Sequence, residues 1–170
     1  MNSSSRDTSI SRASRQLEDL GLIQTEKRGV QKAIYSDKEP QELFESAQSY
    51  LMNPVKRTIY VPKREVKEKL LMSGYSALSE YTMLNPSMVE YYAAESVAVW
   101  GKKSSMKLLN ADDQCAVELW RYDPRKLAEG GFVDRLSLAL ALKEDRDERI
   151  EEAVDEMLNN VWREIDGKRN

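Results

Sequence analysis

Histidine is absent from these 170 residues, and cysteine occurs once, at Cys115. Without an imidazole there is no side-chain base that titrates near neutral pH unaided, no Ser–His triad and no histidine-ligated metal. Catalysis would have to rest on carboxylates, lysine or tyrosine, so an enzyme is not expected and neither is a cofactor. A lone thiol cannot close an internal disulfide, which suits the reducing cytoplasm. No apolar run approaches the ~20 residues that span a bilayer. No basic start leads into an apolar block, as it would in a secretory leader. A cytoplasmic protein without a membrane partner is expected. Internal repeats and low-complexity tracts are also missing.

What remains is an ordinary globular balance, 41% hydrophobic and 32% charged residues. The length suits one medium domain or two small ones with a real core. The net charge of −3 is unevenly spread. Residues 1–34 hold Arg6, Arg12, Arg15, Lys27, Arg28 and Lys32 against Asp7, Glu18, Asp19 and Glu26, an excess of two positive charges. The rest of the chain is net acidic, so nucleic acid is favoured as a partner at the N-terminal end alone.

Met1 to Arg6 is polar and serine-rich, a stretch expected to fray. Asp7 or Thr8 can cap a helix running to Leu20, in which Ile10, Ala13, Leu17 and Leu20 form a narrow apolar stripe. Gly21 follows as a left-handed stop. Leu22, Ile23 and Thr25 suit a strand, Lys27-Arg28-Gly29 a tight turn, and Val30 with Ala33, Ile34 and Tyr35 the returning strand. Glu39 to Met52 reads as a helix with Pro40 in its first turn, broken by Asn53-Pro54. Thr58–Val61 is a strand candidate. Lys63 to Ser73 reads as a charged-faced helix, with a second helix through Ala77, Leu78, Tyr81 and Leu84. From Met88 to Trp100 helix and strand are not separable. Cys115–Tyr122 (CAVELWRY) is a strand between acidic turns. Val133–Leu142 is read as a helix over a strand. Asp145 with Glu148 has the spacing of a capping box, starting a last helix striped by Ile150, Val154, Met157, Val161 and Ile165.

Four constellations could carry function. The first is the N-terminal helix with its hairpin. Major-groove reading needs a rigid helix face of short polar and guanidinium side chains. Ser9, Ser11, Arg12, Arg15 and Gln16 provide one, while Lys27, Arg28 and Lys32 would meet the backbone or minor groove. The bland reading is a solvated helix face and a charged turn. The string SISRASRQLEDLGLI, followed by Lys27-Arg28-Gly29, resembles the recognition helix and wing of MarR-like winged-helix bacterial transcriptional regulators. It covers about residues 5–36. The resemblance implies a DNA-binding regulator that contacts double-stranded DNA through those residues. The supporting helices of that family have no counterpart here, so the stripe of Ile10, Ala13, Leu17 and Leu20 is expected to pack on the body of the chain or on a second copy. The chain alone is expected to bind DNA weakly.

The second is the acidic set Asp112, Asp113, Glu118 and Asp123. Asp113 and Glu118 could hold a divalent ion for a metal-dependent enzyme. The lysine that such nucleases place two residues after the glutamate is Trp120 here, and solvated turn acids are the preferred reading. The third is GYSALSEYTML with VELWRYDP and VDRLSLALAL. These are weakly similar to the C-terminal domains of abortive-infection-type winged-helix antitoxins, which implies a protein partner. The preferred reading is a packed core of Tyr75, Leu78, Tyr81, Trp120 and Leu138. The fourth is the stripe of the last helix, either a short homodimer seam or, preferred, an internal packing face.

The expected fold is α+β: a partial winged helix-turn-helix over 1–36, a connecting helix and linker over 37–56, and a mixed domain over 57–166 ending in a long helix.

Overall fold

No glycine or proline interrupts the chain before Gly21, and helix α1 accordingly runs over Ser3–Asp19. Asp7 and Thr8 therefore lie inside the helix and do not cap it. In the computed structural model, residues 3–66, 69–96 and 100–169 are described, with the side chains of α1 from Ile10 onward. The helix stops as its glycine predicts. Gly21 takes φ +68°, its N–H donates to Glu18 O at 2.9 Å, and Leu22 N donates to Leu17 O at 3.0 Å. That pair of bonds is the Schellman motif, which satisfies carbonyls the helix end would otherwise leave bare.

Strand β1 (Gln24–Arg28) pairs antiparallel with β2 (Gln31–Tyr35). The two-residue loop is Gly29-Val30, with Gly29 at φ +64° and no non-glycine residue at positive φ among the described residues. This is the arrangement of a type II′ turn. The tip is thus one residue later than the sequence suggests: Arg28 ends β1 and Val30 caps the loop. Helix α2 (Pro40–Ala47) is shorter than expected and buries Phe44 and Ala47.

The chain divides into two compact units, Met1–Leu51 and Met52–Asn170. The second is built on a four-stranded sheet in the order β3-β6-β5-β4, where β3 is Val55–Pro62, β4 Leu71–Met72, β5 Tyr91–Ala94 and β6 Gln114–Trp120. β6 runs antiparallel to β3 and parallel to β5. As the central strand it is buried along its whole length. Its odd positions, Cys115, Val117 and Leu119, join Ile59, Val61, Ala94 and Trp100 in one apolar cluster. Its even positions, Ala116, Glu118 and Trp120, face the other way, toward helices α3 (Gly74–Tyr81), α4 (Arg135–Leu142) and α5 (Glu148–Arg169). Leu78, Trp120, Leu138 and Met157 are fully buried there. Ile150, Val161 and Trp162 of α5 are buried as well, which makes the stripe of α5 an internal packing face.

Two expectations are corrected. Lys63–Ser73 is not a helix: it holds a 3-10 turn at Lys63–Glu65 and strand β4, and Lys67 and Glu68 lie outside the described residues. Tertiary pairing overrides local propensity here. Leu71 and Met72 pair with Ala93 and Tyr92, and Met72 also bonds Gly131 and Val133. The cap of α5 is Asp147, not Asp145. Asp147 O accepts from Ile150 N at 2.9 Å and its Oδ1 accepts from Arg149 N at 3.0 Å. The 88–100 stretch resolves into β5, with residues 97–99 outside the described ones. No described helix is long and apolar enough to cross a membrane.

Candidate functional site

In the N-terminal unit, α1 at 100° per residue places Ser9, Ser11, Arg12, Arg15 and Gln16 on one continuous side. Ser11, Arg12, Arg15 and Gln16 are exposed, and neither arginine has an ion-pair partner among the described residues. The opposite side is only partly covered. Ser14 is 6% exposed and donates its hydroxyl to Ile10 O at 2.8 Å, and Leu17 is half-buried. Ile10 at 62% and Leu20 at 43% stay exposed, as does Ala13. Within its own unit the stripe is thus covered only around Ser14 and Leu17.

Helix and hairpin are fixed to each other by more than the chain between them. Glu18 Oε1 accepts from Thr25 N at 3.2 Å and from Thr25 Oγ1 at 2.8 Å. Ser36 Oγ donates to Leu22 O at 2.8 Å. The hairpin register sets Lys27 against Lys32 and Arg28 against Gln31. All are exposed, and Arg28 pairs with Glu26 at 3.0 Å. The fully exposed Val30 between them is a tip residue that the strand reading missed.

In the second unit Asp113 and Glu118 do not come together. Asp113 is exposed in the loop before β6, where its Oδ2 accepts from Asn110 at 2.7 Å. Glu118 is five residues on, roughly 16 Å of extended chain away and on the other sheet face. Among the described residues no three of His, Cys, Asp and Glu gather as metal ligands.

Glu118 has a different setting. It is 6% exposed, stands opposite Thr58 on β3, and accepts the hydroxyl of the fully buried Ser73. Burial pushes its carboxyl above the usual glutamate range, with the Ser73 hydrogen bond pulling the other way. Gly74, at φ +49°, makes room for it: a Cβ there would lie 2.9 Å from Tyr91 Cδ1 and 3.0 Å from Glu118 Oε1. Helix α3 starts at that glycine, so its N-terminal end faces the carboxyl and favours negative charge.

Above Glu118 opens a cavity of about 400 Å³, walled by Tyr60, Tyr75 and Tyr91, with Asp145 beside them. Tyr75 and Tyr91 meet edge to face with centroids 5.1 Å apart. Tyr75 donates to Asp145 Oδ2 at 2.5 Å, and burial with that bond holds its phenol well above the ordinary tyrosine range. Lys56 and Arg57, both exposed, also line the cavity. A wider groove of about 630 Å³ runs along Met83–Ser87 and the start of α5, but its charged lining is half-buried or exposed. Of the core expected from sequence, Leu78, Trp120 and Leu138 are buried, whereas Tyr75 and Tyr81 are half-buried. The readable signal for this cavity was one acid in an otherwise apolar strand.

No family model, curated protein or solved structure matches the chain. Two places in it can carry chemistry: a cationic, polar helix-and-hairpin surface, and a cavity lined by Glu118 and three tyrosines.

Proposed function

We propose that the chain is a transcriptional regulator that reads double-stranded DNA through its N-terminal unit, the reading half of a winged helix. One observation carries this: Ser11, Arg12, Arg15 and Gln16 form an exposed side of α1 whose side chains have no hydrogen-bond or ion-pair partner among the described residues, beside a hairpin bearing Lys27 and Lys32. Arginine can bond guanine bidentately, and the polar neighbours can reach bases or phosphates. Glu18 and Thr25 hold helix and hairpin as one piece, so contacts made by the two would reinforce each other. Arg12 and Arg15 enter the major groove, and Lys27, Arg28 and Lys32 meet phosphate.

The test is fluorescence anisotropy with duplexes selected from a randomised pool, repeated across salt concentrations. Arg12→Ala with Arg15→Ala should weaken binding and relax base preference, and the salt slope should flatten by about 0.9 for every phosphate no longer neutralised. Unchanged affinity and slope in the double variant would refute the assignment.

A second reading, an antitoxin-type interaction protein, draws support from the second unit, where Met83, Met88, Met106 and Leu109 are exposed. Methionine surfaces adapt readily to partners. Co-purification with the product of a neighbouring gene, abolished by Met83→Glu with Met88→Glu, would favour it.

A further inference from the structure

We propose that the cavity above Glu118 binds a small organic cation, with an ammonium or guanidinium head turned inward against the carboxyl and the faces of Tyr60, Tyr75 and Tyr91. This is independent of the DNA reading, which concerns the other unit.

The first reason is an unbalanced acid. Buried charges in proteins are paired or neutralised. Glu118 is nearly sealed, yet no lysine or arginine reaches it among the described residues. A purely structural acid would be expected in packed surroundings with its bonding complete. Glu118 instead lines an open cavity, beside Gly74, where a Cβ would crowd the carboxyl at 3.0 Å. Burial disfavours the ionised form of the carboxyl, and a cation seated against it would provide the missing counter-charge. The N-terminal end of α3 lowers the cost of ionising Glu118.

The second reason is the wall. Tyrosine faces attract cations through the ring quadrupole, most strongly where water is excluded. Asp145 fixes Tyr75 by accepting its hydroxyl, and Ser76 Oγ fixes the Tyr91 backbone by accepting its N–H at 2.9 Å. The rings of Tyr75 and Tyr91 also brace each other edge to face. The volume, about 400 Å³, suits a small metabolite.

The other charged residues around the cavity balance. Lys56 and Arg57 oppose Asp145 and Glu144 there, which leaves Glu118 to set the sign of the inner end. Lys56 and Arg57 are exposed and screened by salt, and they are placed to receive an anionic tail if the ligand has one.

The test uses the whole chain and ligand-observed NMR titrations with butylammonium, butylguanidinium, butanol and butyrate. At least one of the two cations should bind, at least about tenfold more tightly than butanol and butyrate, as one charge-assisted hydrogen bond implies. 4-Aminobutyrate reports the tail: tighter binding than butylammonium assigns Lys56 and Arg57 to a carboxylate, and equal binding assigns the site to simple amines. Glu118→Gln, which keeps shape and an acceptor for Ser73, should remove the cation preference without lowering the melting temperature. Tyr60→Leu should weaken cation binding roughly fivefold by removing the ring. Equal binding of butanol and the cations, no binding of either cation, or full cation binding by a folded Glu118→Gln variant would overturn the proposal.

Discussion

Lys27 and Lys32 stand directly opposite each other across the β1–β2 hairpin. Like charges facing across an antiparallel pair are destabilising, by a few tenths to about 1 kcal/mol relative to neutral neighbours. A hairpin kept only for its own stability would gain from an acid at either position, whereas a phosphate-binding surface needs both lysines. Lys32→Glu should therefore move two observables in opposite directions. Hydrogen exchange of the β1–β2 amides should slow, while duplex affinity falls and its salt slope flattens by about 1 or more. An affinity that survives the substitution would make the pair an incidental feature of the turn.

Glu118 predicts a pH dependence whose sign follows from its raised carboxyl. Below about pH 4.3, the ordinary glutamate value, it is protonated whether the chain is folded or unfolded, and burial costs nothing extra. As pH rises from there, the unfolded chain ionises first, so stability is lost until the pH passes the folded value. Glu118→Gln removes that loss. Urea unfolding at pH 4 and pH 8 should show the variant gaining on the parent at the higher pH, and an equal difference at both would mean that the carboxyl ionises freely in the fold.

The hairpin and the strand of Glu118 also show what the sequence could reveal. The hairpin was readable because its signals are local: Gly21 and Gly29 both take positive φ, and the strands follow from short-range alternation. The strand of Glu118 was equally readable, as was its place between acidic turns. Its meaning was not, since Ser73-Gly74, Tyr91 and Asp145 come to it or to its cavity from three separate parts of the chain, and their meeting depends on sheet order. Nor was β4 readable, because Leu71 and Met72 are extended only by pairing with β5 and the 131–133 segment. The stripe on α1 was legible as a pattern, yet Ile10 and Leu20 are exposed. Periodicity tells which residues could be covered, not how far the cover extends.

Gly74 should be the least replaceable glycine in the second unit. Its φ of +49° disfavours a side chain, and a Cβ would press on Tyr91 and Glu118. The left-handed backbone alone costs about 1–2 kcal/mol in an alanine, and displacing the ring adds to it, so Gly74→Ala should lower stability by about 2 kcal/mol or more. Gly131→Ala is the control: its Cβ meets nothing within 4 Å, and the change should stay within about 0.5 kcal/mol. Chemical denaturation of both variants separates the two cases, and a Gly74→Ala variant as stable as the control would show that Tyr91 yields freely.

Arg135 joins three parts of the second unit. Its two terminal nitrogens donate to the two oxygens of Glu164 on α5, each at 2.8 Å, and its Nε donates to Glu129 at 2.9 Å. Its guanidinium carbon lies 5.7 Å from the centre of the Tyr81 ring. The Arg135 side chain is 16% exposed and that of Glu164 is 51% exposed, so solvent screens one side of the pair. Arg135→Ala should cost about 1–3 kcal/mol, toward the lower half of that range. Arg135→Lys should recover less than half of the loss, because an ammonium cannot reproduce the fork that grips both carboxylate oxygens. Arg135 pulls the Glu164 carboxyl below its usual range, so this contribution is complete above about pH 4.3 and fades as pH falls through the depressed folded value. Urea midpoints for the parent and both variants should therefore differ at pH 7 and converge in increasingly acid solution. A lysine variant indistinguishable from the parent at pH 7 would show that charge alone, and not the paired geometry, ties α4 to α5.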